Sequence, residues 1–118
     1  MREMEIAERV VGDVTILVLS GRLVLEEGEF PLRQWVDRLV REGRVKILLD
    51  MRGVTRLDSA GIGMVVSTFL TTFRHGGCLK LLHLTDRSGH LLFVTKLFTV
   101  FEIFDSEDAA LQSFAAAP

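Results

Sequence analysis

Cysteine is nearly missing from this chain of 118 residues: Cys78 is the single thiol, so no intrachain disulfide can form. It lies in an apolar run and reads as a small buried thiol. An excess of one charge is missing too. With 14 basic residues against 16 acidic ones, the net charge is -2. There is thus no strongly basic composition to bind nucleic acid through neutralised phosphates. Long apolar runs are also absent. The longest uncharged stretch, Ser59 to Phe73, has fifteen residues and includes Ser and Thr. A spanning helix needs roughly 20 mainly apolar residues. Glu3, Glu5, Glu8 and Arg9 interrupt the N-terminus where a signal peptide would need its apolar region. The expectation is a soluble cytoplasmic protein with no membrane and no nucleic acid as direct partner.

What is present is ordinary globular composition, 48% apolar and 25% charged. The length suits one domain over residues 1–118, with a frayed tail from about Ala115. No repeat, linker or low-complexity segment interrupts it. Met4 to Val11 and Val14 to Ser20 are rich in β-branched and aliphatic residues, and Gly12-Asp13 between them predicts a tight hairpin. Leu32, Trp35, Val36, Leu39 and Val40 recur at helical spacing, between Pro31 and Gly43. Val45 to Asp50 is a near-continuous apolar run that suits a central strand covered on both faces.

A loop over Met51 to Asp58 and a helix from Ser59 to about His75 should follow, closed by Gly76-Gly77. Cys78 to Leu84 predicts a strand, and Thr85-Asp86 the start of a helix running to about Phe98. Val100 to Phe104 predicts a last strand. Ser106 should cap a last helix, with Glu107 and Asp108 suited to its dipole. The order β-β-α-β-α-β-α-β-α is an α/β arrangement with a mixed, mostly parallel sheet and about four helices.

The second helix departs from the usual pattern. Ile62, Val65, Val66, Phe69, Leu70 and Phe73 form its expected core stripe. The remaining positions are Ala60, Gly61, Gly63, Met64, Ser67, Thr68, Thr71 and Thr72, so no charge occurs between Asp58 and Arg74. Two glycines in a first turn cost about 1 kcal/mol each relative to Ala. Two explanations stand side by side. The helix can present a smooth uncharged surface for another protein to approach closely, or the glycines can pack against the sheet.

Ser59 begins this helix, where its hydroxyl is suited to capping. The same position suits a phosphoryl acceptor, because unpaired helix N–H groups hold phosphate oxygens. A phosphate there would add about -1.5 to -2 charge beside Asp58 on a neutral surface.

The run Ile47-Leu48-Leu49-Asp50-Met51-Arg52-Gly53-Val54-Thr55-Arg56-Leu57-Asp58-Ser59-Ala60-Gly61-Ile62-Gly63 resembles the signature of STAS-domain proteins. It is most similar to the free-standing bacterial anti-sigma-factor antagonists (anti-anti-sigma factors) of transcription regulation in stress response and sporulation. The similarity extends to Leu19-Ser20-Gly21-Arg22-Leu23, to Gly76-Gly77, to Leu97-Phe98 before Phe101-Glu102-Ile103-Phe104, and to the segment from Ser106 to Leu111. The resemblance implies a STAS-like fold and a phosphoprotein acting by partner switching. It implies that an anti-sigma factor serine kinase phosphorylates Ser59. The unphosphorylated antagonist binds that kinase and frees a sigma factor; the phosphorylated form lets go, and a serine phosphatase resets it. By the same match Asp58 positions Ser59 and contacts the kinase. Gly61 and Gly63 allow close docking, with Ala60, Met64 and Ser67 on the same surface. That uncharged face could equally serve a homodimer.

The sequence departs from the family pattern at Gly21-Arg22-Leu23-Val24, where many relatives carry Asp after Gly-x-Leu; acidic residues come later, at Glu26, Glu27 and Glu29. Ala60 follows Ser59 where Ser or Thr is also found, leaving one acceptor in the motif. Arg52 and Arg56 could pair with a phosphate on Ser59 or be solvated loop charges.

Enzymatic readings find little support. Asp58-Ser59-Ala60-Gly61 is not the Gly-x-Ser-x-Gly elbow, and His75, His83 and His90 have no spacing that points to Ser59. One Cys and three scattered His do not suggest zinc. Gly61-x-Gly63 lacks the third glycine of a dinucleotide fingerprint and the Lys of a P-loop. No cofactor is expected; weak nucleotide contact stays open. The second functional reading is a STAS subunit of a signalling scaffold or lipid-transport complex, never phosphorylated, in which Ser59 is only a helix cap.

Overall fold

The computed structural model describes residues 4–24 and 31–115. Strand β1 (Met4–Val11) turns at Gly12, whose φ of 61° lies in the left-handed region, into β2 (Val14–Leu23). Then come α1 (Pro31–Arg41), β3 (Lys46–Leu57), α2 (Ser59–Arg74), β4 (Cys78–Leu82), α3 (Asp86–Val94), β5 (Ile103–Phe104) and α4 (Glu107–Ala115). The sheet runs β1-β2-β3-β4-β5; β1 pairs β2 antiparallel and the other three pairs are parallel. The mixed, mostly parallel sheet expected from the element order is therefore present.

Alternation along the strands divides the core in two. Leu17 and Leu19 of β2, Ile47, Leu49 and Met51 of β3, and Leu79 and Leu81 of β4 pack with Leu32, Val36 and Leu39 of α1, Ile62 and Val65 of α2, and Leu92 of α3. The opposite face is smaller: Val14, Ile16, Leu48 and Leu82 pack under Ala110 and Phe114 of α4. Ile47, Leu48 and Leu49 are all fully buried, as a strand covered on both faces requires. Glu8 ties β1 to the helical layer. Its carboxylate accepts the Trp35 indole N–H at 2.8 Å and pairs with Arg44 at 2.8 Å. The Trp35 N–H, with Arg44 and Arg38, holds the Glu8 carboxyl below its ordinary range against the opposing effect of burial.

Several boundaries differ from the sequence expectations. Met51 to Leu57 is not a loop but the continuation of β3, because β2 itself extends to Leu23 and supplies partners as far as Leu23↔Leu57. Two register shifts absorb the extra residues of β3. Gly53 lies there; a Cβ on it would come 2.7 Å from the Leu19 carbonyl oxygen. Strand β4 ends at Leu82, not Leu84, since His83 turns into the left-handed region at φ 58°. Helix α3 ends at Val94, not near Phe98, because Lys96 is left-handed at φ 63° and Leu97–Thr99 winds as a separate 3-10 turn. The last strand holds only Ile103–Phe104, where Val100 to Phe104 was expected. Ser106 does cap α4, its Oγ accepting the Ala109 N–H at 3.2 Å. The expected frayed tail lies at its far end outside the described residues.

Candidate functional site

Strand β3 delivers the chain to the start of α2 through Asp58, whose extended backbone (φ -110°, ψ -177°) stands outside the helix. Its carboxylate Oδ1 accepts the Gly61 N–H at 2.8 Å, and its carbonyl accepts the Ile62 N–H at 2.9 Å. Asp58 is therefore the N-cap. This corrects the expectation of Ser59 in that role. An Asp one residue earlier reaches the same orphan N–H groups, so Ser59 becomes the first helical residue. Its side chain is exposed, and its hydroxyl makes no hydrogen bond among the described residues.

The two glycines of the first turn serve different ends. Gly61 is buried, and a Cβ there would overlap the Leu23 carbonyl oxygen and come 2.9 Å from Leu57 Cδ1. Its missing side chain is what lets α2 start against the end of β2. Gly63 is exposed, with nothing within 4 Å of a built Cβ. Among the described residues nothing calls for a glycine at that position. Ala60, Met64 and Ser67 are half-buried, and Arg33 Nη2 of α1 lies 3.5 Å from Ser67 Oγ. Ser59, Gly63 and Ser67 follow at i, i+4 and i+8 and so share one face of the helix.

The core stripe of α2 is rotated from the expected one. Ile62 and Val65 are buried as expected, and Val66 and Phe69 pack at the margin of the core. Leu70 and Phe73, however, are exposed, while Thr68 and Thr72 are buried. The buried hydroxyls are satisfied within the helix: Thr68 Oγ1 donates to the Val65 carbonyl and Thr72 Oγ1 to the Thr68 carbonyl, both at 2.8 Å.

Arg52 and Arg56 stand exposed on β3, with Arg56 beside Arg22 in the β2–β3 register. They are strand residues, not loop charges. Glu26, Glu27 and Glu29 lie outside the described residues. His75 Nδ1 is bonded to the Thr71 carbonyl oxygen at 2.8 Å, and no hydrogen bond joins a histidine to Ser59 among the described residues. No group of three metal-ligating side chains converges among them. Cys78 is half-buried, and burial pushes its thiol above the ordinary range. No helix is long and apolar enough to cross a membrane among the described residues.

Chemically, the site offers a solvent-facing primary alcohol at the positive end of a four-turn helix, with no side chain hydrogen-bonded to it among the described residues. A helix N-terminus of this kind favours negative charge beside it. The identity of the cap was among the features the sequence reading missed. The signal for it was present, an Asp three residues before Gly61, but Ser59 fitted the same rule one position later.

The model of the STAS domain matches residues 5–110. A Thermotoga neapolitana protein named as an anti-sigma factor antagonist homologue is 30% identical over 105 residues, which are 88% of this chain and 92% of the relative. The crystal structure of an anti-sigma factor antagonist from Thermotoga maritima has a TM-score of 0.84 at 24% identity, covering 93% of this chain and 94% of that one. The Bacillus cell fate determinant SpoIIAA in its phosphorylated form has a TM-score of 0.71 at 17% identity, covering 92% of this chain and 98% of that one.

Proposed function

The chain belongs to the STAS-domain family, and from that premise we propose that it is an anti-sigma-factor antagonist working by partner switching, with Ser59 as its phosphoacceptor. The unphosphorylated chain binds an anti-sigma factor serine kinase in the cytoplasm and so frees a sigma factor. Phosphorylation of Ser59 releases the kinase, and a serine phosphatase restores the binding form. The observation that carries this reading is the uncommitted Ser59 hydroxyl. It is exposed and spared from capping by Asp58. Removing or modifying it therefore leaves the start of α2 intact.

The surface around Ser59 supports the same reading. Gly63 lets a partner's backbone approach, and Ala60, Met64 and Ser67 add no charge of their own to that face of α2. A phosphate would bring about -1.5 to -2 charge to that face, next to the Asp58 carboxylate. Desolvating such a charge against a closely packed partner is costly, so binding is lost while the fold persists. Catalysis belongs to the kinase and the phosphatase, and this chain is their substrate rather than an enzyme.

Intact-mass analysis of the protein isolated from its own host, wild type beside Ser59→Ala, tests the acceptor. One added phosphate on the wild type and none on the variant is the expected result. A wild type unmodified under every growth condition, copurifying with scaffold or transporter subunits instead of a kinase, would replace this reading with the non-phosphorylated STAS subunit.

A further inference from the structure

Strand β1 is the outermost strand of its side of the sheet and pairs only with β2, in an unbroken register from Met4↔Gly21 to Val11↔Val14. Val11-Gly12-Asp13-Val14 is a two-residue hairpin turn, so Val11 and Val14 are the hydrogen-bonded pair that closes it. Alternation from that pair turns the backbone groups of Arg9, Ala7 and Glu5 towards β2. Those of Val10, Glu8, Ile6 and Met4 point outward. No hydrogen bond from another described residue reaches these outward groups.

The usual devices that keep a sheet edge from pairing are proline, a bulge, a short strand or charge. Strand β1 has no proline and no register shift, and it runs for eight residues. Two of its charges are drawn into the subunit itself. The Glu8 carboxylate is held by Trp35 and Arg44, and the Arg9 guanidinium by Glu107 of α4. Val10, by contrast, is 51% exposed with no neighbour beyond it. The edge is long and open.

We propose that this edge is where two copies of the chain associate, their β1 strands running antiparallel about a two-fold axis at Ala7 and joining the two sheets into one. The side chains of β1 complement themselves in that register. Arg9 of each copy stands opposite Glu5 of the other on one face, and Val10 opposite Met4 on the other face. Ile6 meets Glu8, whose carboxylate is already turned back into its own subunit. The outward backbone groups of Val10 and Met4, and of Ile6 and Glu8, face one another as a ladder requires. Ala7 meets its own copy at a Cα separation of about 4.5 Å, where a small uncharged side chain fits. Arg9 retains donors for Glu5, since its side chain is 48% exposed and a guanidinium carries five N–H groups. Moving the axis to Glu8 would set that carboxylate against itself. Moving it to Ile6 would place Glu5 opposite Ala7 and shorten the paired run to residues 4–8. Helix α2 packs over β3 and β4 rather than β1, so this contact is distinct from a homodimer made through the Ser59 face.

Sedimentation of the full chain between about 1 and about 300 μM should show a dimer that grows with concentration and stops at two copies. Val10→Pro removes one outward N–H at a position where an edge strand tolerates proline. It should raise the dimer dissociation constant at least about tenfold. Glu5→Arg sets two arginines against each other and should weaken the dimer in a way that salt relieves. Cysteine pairs read the register, each in a chain also carrying Cys78→Ser and oxidised with copper phenanthroline. Ala7→Cys should join two copies at least about tenfold faster than Val11→Cys, because a non-hydrogen-bonded antiparallel pair suits a disulfide. Glu5→Cys mixed with Arg9→Cys should give the crossed dimer in preference to either self-joined one. Circular dichroism confirms that each variant folds. A monomer throughout the concentration range, assemblies larger than two, a dimer indifferent to Val10→Pro, or equal joining of Ala7→Cys and Val11→Cys would overturn the proposal. A dimer lost in Gly63→Arg but kept in Val10→Pro would assign association to the α2 face instead.

Discussion

The Asp58 carboxylate caps the helix that Ser59 begins, so the side chain that secures the start of α2 and the exposed hydroxyl beside it are separate groups. Under the proposed function the helix start therefore keeps its Asp58 cap when Ser59 is modified, and what changes at that end is charge.

Asp58→Ala should therefore lower stability by about 1 kcal/mol, the usual cost of a lost N-cap, while Ser59→Ala should leave it nearly unchanged. Asp58→Asn should recover much of the loss. Urea unfolding followed by circular dichroism measures all three. Equal losses for Ser59→Ala and Asp58→Ala would contradict the assignment of the cap.

The glycines should respond in opposite directions. A methyl group at Gly61 collides with the Leu23 backbone, which cannot move without disturbing the end of β2. Gly61→Ala should cost about 1–3 kcal/mol or more. Gly63→Ala meets open space and should gain up to about 1 kcal/mol from helix propensity. Under the proposed function the same Gly63→Ala chain, though more stable, should bind its kinase more weakly. Thermal unfolding beside kinase titration separates the two effects.

Glu8 should give the fold part of its acid sensitivity. Its folded-state pKa is depressed below the ordinary value of 4.5, first by the Trp35 N–H and then by Arg44 and Arg38. A depressed carboxyl contributes stability above its unfolded-state pKa, and that contribution is lost as pH falls through the folded value. Wild type should thus lose stability below about pH 4.5 more steeply than Glu8→Gln, which should be less stable at neutral pH. Unfolding midpoints measured from pH 3 to pH 7, in approximate unit steps, would show the two curves converging in acid.

Cys78 should be a sluggish thiol. Burial raises its pKa, with Lys80 and Glu102 acting in opposite senses as smaller influences. Less thiolate at neutral pH means slower alkylation than a free cysteine. Iodoacetamide labelling followed by mass should be slow in the folded chain and rapid in urea. Fast labelling of the native protein would show the thiol to be more open than its surroundings indicate.

The parts of this fold that were legible in the sequence are those governed by local pattern. The hairpin at Gly12-Asp13, the amphipathic α1 and the caps Thr85 and Ser106 depend on neighbours along the chain. The misread parts depend on partners far away. Met51 to Leu57 carries Arg52, Gly53, Thr55 and Arg56, a loop composition, yet β2 recruits it into the sheet across two register shifts. Thr68 and Thr72 look like surface residues, but hydroxyls that bond to carbonyls of their own helix can face a core without penalty. Phe73 looks like core and is not, because the short β5 leaves no wall for it to meet.

The candidate site was legible in the same measure. That Ser59 stands at the start of a helix with no charged residue from there to Phe73 came from the order of residues alone. That Gly61 belongs to the interior and Gly63 to the surface could not, since the distinction rests on where the Leu23 carbonyl ends up.

The strand order β1-β2-β3-β4-β5 carries a consequence for how the molecule is made. Each strand lies beside its predecessor, so a chain emerging from the ribosome can add strands one at a time without threading or waiting. Helix α4 alone breaks that sequence: it must return across the sheet to lay Ala110 and Phe114 on Val14 and Ile16, with Glu107 reaching Arg9 at 2.5 Å. Helix α4 is thus the clasp that fastens this late segment to the opening hairpin, and without it Ile16 and Leu48 would be left bare.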